Sequence, residues 1–328
     1  MTLGRACAKS HTQCGVVQDS TSRSVRALDH LGVTPWPPLA SNRSRQNVPL
    51  ALFCYLILMW VPIAISAGLM GLWNVLGSAQ IDIAYCVIFM VIMRQINIFT
   101  LSTLFHRSYS HRQFEYIPLI EHPMRVWNWV WAGTGGRAWA VLHRWHHAAA
   151  DSEDDPHSPT KTGGSIWNIT QQTFQAYQEC LHNPEKYRRF EYKLPDDAFE
   201  RFIHWLQGKG VLGLVVVRLP LIFAIMTPFV GWEAAVCALP GIMASVWYST
   251  VIIVNGLCHK IGYQVMDSGD TSTNLFPIDL FGWGEALHHN HHYQQGRANL
   301  AITKFEWDPG YFVLLCMSKV GLVRNLKA

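Results

Sequence analysis

Residues 48 to 72, VPLALFCYLILMWVPIAISAGLMGL, carry no charged side chain, and the run exceeds the roughly 20 residues a helix needs to cross a bilayer core. A chain with such a segment must fold around a membrane or bury the segment whole. Composition favours the membrane: half of the 328 residues are hydrophobic and only 15% are charged, low for a soluble protein of this size. The run from Val211 to Val230 is broken only by Arg218, and Ala234 to Val254 carries no charge. From Ile83 to Met93 the chain is apolar again, until Arg94, Gln95 and Asn97 interrupt it and an apolar face resumes at Ile96, Ile98, Phe99, Leu101 and Leu104. That pattern reads as a long helix leaving the bilayer near Arg94, with the guanidinium snorkelling to the interface. The expected fold is an all-α membrane protein with spans over about 48–72, 81–103, 211–231 and 234–254.

Lys and Arg are retained on the cytoplasmic side of a membrane, so their distribution sets the topology. The turns 73–80 and 231–233 hold none; six lie in residues 1–47, twelve between Ser102 and Gly210, and six after Val254. Two helical hairpins with both termini and the middle segment in the cytosol follow. Residues 1–46, rich in Ser, Thr and Arg and without a signal-peptide core, read as a disordered cytosolic leader ahead of a membrane domain spanning 47–328. The eight cysteines never form C-x-x-C, which argues against a zinc ribbon, a rubredoxin-like module or a disulfide framework.

Nine of the 16 histidines fall in three clusters and one singlet, all on the side assigned to the cytosol. They are His106 and His111 in HRSYSH, His143, His146 and His147 in HRWHH, His288, His291 and His292 in HHNHH, and His259 in NGLCHKIG. At a histidine frequency of about 5%, two H-x-x-H-H matches arise by chance on the order of once in a thousand chains. On a helix, positions i, i+3 and i+4 lie within an arc of about 100°, so each such box presents three imidazoles to one side. His106 and His111 differ: five steps of about 100° leave them some 140° apart on a regular helix, so they cannot easily share one ion. Either they serve two neighbouring ions or the helix breaks between them. Nine imidazoles exceed the four ligands of a closed zinc site, so two metals are needed to use them, and ligand type alone does not name the metal.

These boxes resemble those of the integral-membrane fatty acid desaturases, within them the acyl-CoA (stearoyl-CoA Δ9-type) branch. The family carries H-x4-H, H-x2-HH and a second H-x2-HH, and the likeness extends to DDPHSP at Asp154 to Pro159, NGLCH at Asn255 to His259 and WGEALHH from Trp283. The resemblance implies four membrane helices in two hairpins, with a cytosolic helical cap holding two non-haem iron ions. It also implies O2-dependent insertion of a double bond into a fatty acyl chain. The nine histidines match the family's iron ligands, and Asn255 matches a residue that reaches one iron through water. Glu285, Asp155, His157 and His289 are expected around the ligands, with Asp151 and Asp154 as further carboxylates near the boxes. Departures are Leu104 where the family often has a small residue, TGGSIWNITQQTFQAY after the DPHSP stretch, and His289 where the family usually has Asn.

Removing hydrogen from an unactivated methylene requires a strong oxidant, which iron and O2 supply, while the protein positions the chain and excludes water. The implied substrate is an acyl chain on coenzyme A, acyl carrier protein or lipid. Neither an HPGG haem motif nor iron–sulfur cysteine spacing occurs, so electrons are expected from a separate ferredoxin, rubredoxin or cytochrome b5 type carrier. The basic run Lys186 to Lys193 suits an acidic carrier, a carrier phosphate or anionic lipid; membrane lipids are expected partners and nucleic acid is not. The same centre could instead direct hydroxylation or alkyne formation. A non-catalytic membrane metal-binding protein is the remote rival, and it would place ligands inside the spans.

Overall fold

In hydrocarbon every backbone N–H and C=O must be satisfied within the chain, which leaves uncharged runs of this length no alternative to a helix. The computed structural model describes residues 47–77, 80–159, 163 and 165–328, and is mostly helical with almost no strand; the expected leader lies outside the described residues. The first helix, α1 (Val48–Leu76), begins with a proline in its first turn, where a missing N–H costs nothing. The second, α2 (Ile83–Thr100), is capped by Asp82, whose carboxylate accepts the Tyr85 N–H at 3.0 Å. It runs without a break into a π-wound segment, Leu101–Ser110. Then come α3 (Pro118–Ala132), α4 (Gly136–Ala149), α5 (Ile166–His182), a single turn α6 (Pro184–Tyr187) and α7 (Ala198–Gln207). After these, α8 (Gly210–Val230) and α9 (Trp232–Trp247) pack against each other, α9 packs against α1, and α9 continues as a second π-wound segment, Tyr248–Val254. The C-terminal part holds α10 (His288–Tyr293) and α11 (Pro309–Lys319). One strand pair, β1 (Glu115–Tyr116) with β2 (Val323–Arg324), ties the chain end to the segment after the first histidine box.

Among the described residues, three helices are long and apolar enough to cross a membrane: Val48–Leu76, Ile83–Ser110 and Trp232–His259. Among the described residues of α8, Val215–Val230 is apolar but shorter than these three. Large apolar side chains face outward along these helices, among them Phe53, Ile88, Val216 and Phe229, each more than half exposed. A helix apolar on all sides is the pattern of a lipid-facing span.

Two buried arginines set the packing. Arg218 of α8 reaches α3, where its Nε donates to the Val130 carbonyl at 2.8 Å and its Nη2 to the Trp131 carbonyl at 3.2 Å. It thus satisfies carbonyls that the end of α3 leaves unpaired. Gly133 closes that helix at φ 75°, and a Cβ there would stand 2.2 Å from the Arg218 guanidinium. Arg107, fully buried, pairs with buried Asp308 at 2.7 Å and also donates to the carbonyls of Ala298 and Trp283. With every donor but Nε engaged, this pair locks the π segment of α2 to the N-terminus of α11. Removing one partner of such a pair leaves an uncompensated buried charge, a loss of about 3–5 kcal/mol.

Arg94 does not snorkel. It is 5% exposed and turns into the bundle, where its Nη2 donates to Ser249 Oγ at 2.8 Å. A hydroxyl on the neighbouring helix end is nearer than any interface, and the side chain takes it.

Candidate metal centre

The histidines gather where the π segments, α4 and α10 meet. His106, His111, His143, His147 and His291 bring one ring nitrogen each within 4.8 Å of all the others; His146, His259, His288 and His292 do the same beside them. The clusters adjoin where the His147 and His292 rings lie 4.4 Å apart between centroids. All nine sequence-derived histidines are therefore accounted for, five in one cluster and four in the other. His122, His182 and His204 belong to neither.

His106 and His111 enter the same cluster, contrary to the expectation for a regular helix. The helix neither stays regular nor breaks: the His111 N–H donates to the His106 carbonyl at 3.3 Å, an i to i+5 bond that defines π winding. A wider turn carries residue i+5 back over residue i. The same device recurs at the end of the second π segment, where the Asn255 N–H donates to the Thr250 carbonyl at 2.8 Å just ahead of His259.

The two H-x-x-H-H boxes divide their histidines reciprocally. Positions i and i+4 lie about 40° apart on a helix and i+3 lies about 60° to the other side. In α4, His143 and His147 go to the five-membered cluster and His146 to the four-membered one; in α10, His288 and His292 go to the second and His291 to the first. Each box therefore serves both clusters.

Carboxylates fix several ring protons. His106 Nδ1 donates to Glu285 at 2.9 Å, and Glu285 also accepts from Ser102 Oγ. His146 Nδ1 donates to Asp155 at 2.9 Å, and Asp155 further accepts the N–H groups of Asp151 and His157. His292 Nδ1 donates to Asp270 at 2.8 Å. Burial alone would raise the Asp155 carboxyl, but the hydrogen bond and charge of His146 outweigh it and hold it down at about 2. Glu285 is likewise held below its ordinary value against burial, by His106 and Arg107. With the proton on Nδ1, each of these imidazoles turns a lone pair on Nε2 toward the cluster centre.

The Nε2 atoms then face one another: His146 and His292 at 3.3 Å, His106 and His291 at 2.9 Å, His111 and His143 at 2.8 Å. For His146 and His292 both lone pairs point inward, an arrangement that is repulsive without a cation between them. Nitrogens about 2.1 Å from a common centre lie about 3.0 Å apart at right angles and about 3.4 Å apart in a tetrahedron; the His146–His292 separation falls between these and the other two lie slightly below the first. The donor set fits a metal in each cluster.

Of the surrounding residues, His157 is buried against His146 with ring centroids 4.4 Å apart, and neither of its ring nitrogens has a hydrogen-bond partner. Asn255 lines an apolar cavity together with His106, His143 and His157. Asp154 is exposed, whereas Asp151 accepts from Thr271, whose hydroxyl lies 3.4 Å from His259 Nδ1. His289 is fully buried; its Nε2 accepts the Met266 N–H at 3.2 Å and its Nδ1 lies 3.3 Å from Ser272 Oγ. It braces the turn 266–272 that carries Asp270. Asp270 and Thr271 have no counterpart in the sequence reading, because a Ser/Asp/Thr turn some twenty residues from the box it serves carries no periodic signal.

Burial lowers the imidazoles of His111, His143, His147, His288 and His291 well below their ordinary value of 6.5, and each neighbouring histidine adds to it. His292 is lowered by the same burial, against the pull of Asp270, to about 3. Neutral rings are the form that binds metal.

Two measurements follow. His288→Asn should lower the metal bound per chain by about half, and His289→Asn should leave it near wild type, because only the former removes a donor; elemental analysis of purified protein reads both. Because the folded imidazoles have depressed pKa values, the unfolded chain takes up protons first as pH falls. Metal-free protein should therefore hold its full stability above pH 6.5 and lose it progressively toward the folded value of about 3. A melting temperature that stays flat between pH 7.5 and 5 would show that the rings are not buried neutral.

No family model matches the chain. Curated relatives do. An sn-1 stearoyl-lipid 9-desaturase of Synechocystis is 30% identical over 224 residues, 68% of this chain and 65% of that protein. A namesake of Anabaena variabilis is 27% identical over 68% of this chain and 76% of its own, and an acyl-CoA 5-desaturase of Anemone leveillei 28% identical over 70% and 68%. With the histidine boxes and the membrane helices, this similarity places the chain: it belongs to the fatty acid desaturase family.

Proposed function

We propose that the protein is an O2-dependent di-iron desaturase that introduces a double bond into a fatty acyl chain. The observation that carries the reading is the meeting of the five-histidine cluster with an apolar cavity. Met59, Ile98, Leu101, Leu142, Val251 and Val254 contribute to the wall of that cavity, the apolar lining with a few polar groups expected of a small-molecule site. His106, His143 and Asn255 border the same space, so a chain lying in it would pass beside both boxes.

His106, His111, His143, His147 and His291 would hold one iron; His146, His259, His288 and His292 would hold the other, with Asn255 reaching it through water. When bound, iron supplies with O2 the oxidant that an unactivated methylene requires. The rest falls to the protein. Glu285, Asp155 and Asp270 keep the rings oriented and in the tautomer that leaves Nε2 free. The apolar walls exclude water and hold one C–C bond in place, which is the source of positional selectivity. Each turnover would remove two hydrogens from the chain, draw two electrons from an external carrier of ferredoxin, rubredoxin or cytochrome b5 type and two protons from solvent, and convert O2 to two waters.

The relatives are named for lipid-linked and coenzyme A-linked substrates and for 9- and 5-desaturation. This supports a carrier-bound or lipid-bound acyl chain, with Δ9 as the leading position. Four spans, with α8 as the fourth, and a cytosolic helical cap holding both termini complete the arrangement; the distribution of Lys and Arg supports it. In the basic run, Lys186 pairs with Glu179 at 2.5 Å and Arg188 with Glu185 at 3.6 Å, so its exposed charge for a carrier is smaller than its sequence suggests.

Expression in a desaturase-deficient host, followed by lipid and acyl-thioester profiling, tests the reading. The expected product is lighter than its substrate by two hydrogens and disappears in His146→Ala while membrane insertion persists. A product heavier by one oxygen, or iron-loaded protein with no product from any acyl substrate, would contradict it.

A further inference from the structure

Cations from distant parts of the chain converge on the segment just after His111. Arg112 donates to the Lys193 carbonyl at 3.1 Å, and the Lys327 N–H donates to the Gln113 carbonyl at 2.9 Å. The Lys327 carbonyl in turn accepts the N–H of Ala298, the residue after Arg297, and Arg324 stands opposite Glu115 in the β1–β2 pair. Arg144 joins them from α4, its guanidinium donating to the carbonyls of Ser110 and Tyr192, each at 2.8 Å. Lys193, Arg324 and Lys327 are exposed, as are the rings of Tyr192 and Tyr293. Arg112 and Lys193 lie 5.9 and 5.1 Å from the centre of the Tyr192 ring. The nearby carboxylates Glu115 and Glu191 are already paired, with Arg112 at 3.2 Å and Arg137 at 2.9 Å. Among the described residues no carboxylate pairs with Lys193, Arg297, Arg324 or Lys327. Unpaired positive charge of this kind steers an anionic partner toward the surface, and exposed tyrosine beside arginine is the composition of an interface centre.

The position of this surface narrows the kind of partner. Arg112 follows His111 in the chain and Arg144 follows His143; both histidines belong to the five-membered cluster and are partly exposed, whereas the four-membered cluster is buried throughout. None of these cations lines the acyl cavity. A partner that presents the acyl chain has to reach the cavity that takes it, but one that delivers electrons needs only a short path to the metal ligands. Arg112 and Lys193 also hold left-handed backbone, with φ of 51° and 53°, a conformation that glycine adopts without strain and that side chains of this size rarely do.

We infer that this surface docks an acidic one-electron carrier protein, and that electrons enter the molecule beside His111 and His143. The need for a carrier rests on the desaturase reading; the place of docking rests on the charges. Two reduced carriers dock in turn, each gives up one electron and leaves oxidised, and together they supply the two electrons of a turnover. The run Lys186 to Lys193 contributes its last residue to this surface, while Lys186 and Arg188 are held by Glu179 and Glu185.

The iron-loaded full chain in zwitterionic nanodiscs is titrated with oxidised plant-type ferredoxin, rubredoxin and the soluble domain of cytochrome b5. At least one should bind at low ionic strength, and raising the salt to about 0.5 M should weaken it roughly tenfold. Lys193→Glu combined with Lys327→Glu should weaken binding about tenfold and slow electron delivery from the reduced carrier. The product of a single turnover after reduction by dithionite should stay at the wild-type level in that variant. Lys186→Glu combined with Arg188→Glu should change neither binding nor delivery. Binding of no carrier, binding indifferent to salt, or equal weakening by the two pairs of substitutions would overturn the assignment. So would acyl carrier protein or anionic vesicles binding through Lys193 and Lys327 where no electron carrier does. Absence of product with every electron source, alongside carrier binding that depends on Lys193 and Lys327, would contradict the desaturase reading and leave the docking surface standing.

Discussion

Imidazole lone pairs that face one another, as those of His146 and His292 do at 3.3 Å, repel unless a cation lies between them, and the fold is built to hold that pair together. The carboxylates of Glu285, Asp155 and Asp270 keep the protons on the outer nitrogens and leave the inner ones with nothing to donate. The buried Arg107–Asp308 pair anchors the π segment bearing His106 and His111 against α11. The bracing of the turn 266–272 by His289 belongs to the same effort. Without a metal, every one of these contacts would preserve an unfavourable arrangement.

Two local windings make the clusters possible. Regular α-helical spacing would point His106 and His111 apart, and the i to i+5 register brings them together. Regular spacing is what α4 and α10 use, sending i and i+4 to one cluster and i+3 to the other. Because the two boxes divide in opposite senses, each cluster takes imidazoles from both helices, and neither helix can move without disturbing both. The four-membered cluster is buried throughout, whereas His111, His143 and His147 of the other are only partly so.

The apolar runs were legible in the sequence because hydrophobicity alone decides a membrane helix. So were the histidine boxes, whose repeated spacing is rare by chance, and Glu285 and Asp155, which stand close to them. What could not be read depends on contacts between distant segments. A π turn differs from an α turn by one residue of hydrogen-bond register and leaves no compositional mark. Arg94 faced either an interface or a partner, and Ser249, 155 residues away, settles which. Asp270 is 22 residues from His292, and His289 gives no sign by itself that it supports the turn between them.

The central claim is that nine imidazoles, and no carboxylate, form the inner shells of two metal sites. X-ray absorption at the iron K edge of the iron-loaded full chain tests it most directly. A nitrogen shell of four to five imidazoles per iron is expected, with the carboxylates confined beyond it. An oxygen-dominated shell with a short, carboxylate-bridged iron–iron vector, as in helical-bundle di-iron proteins, would contradict it.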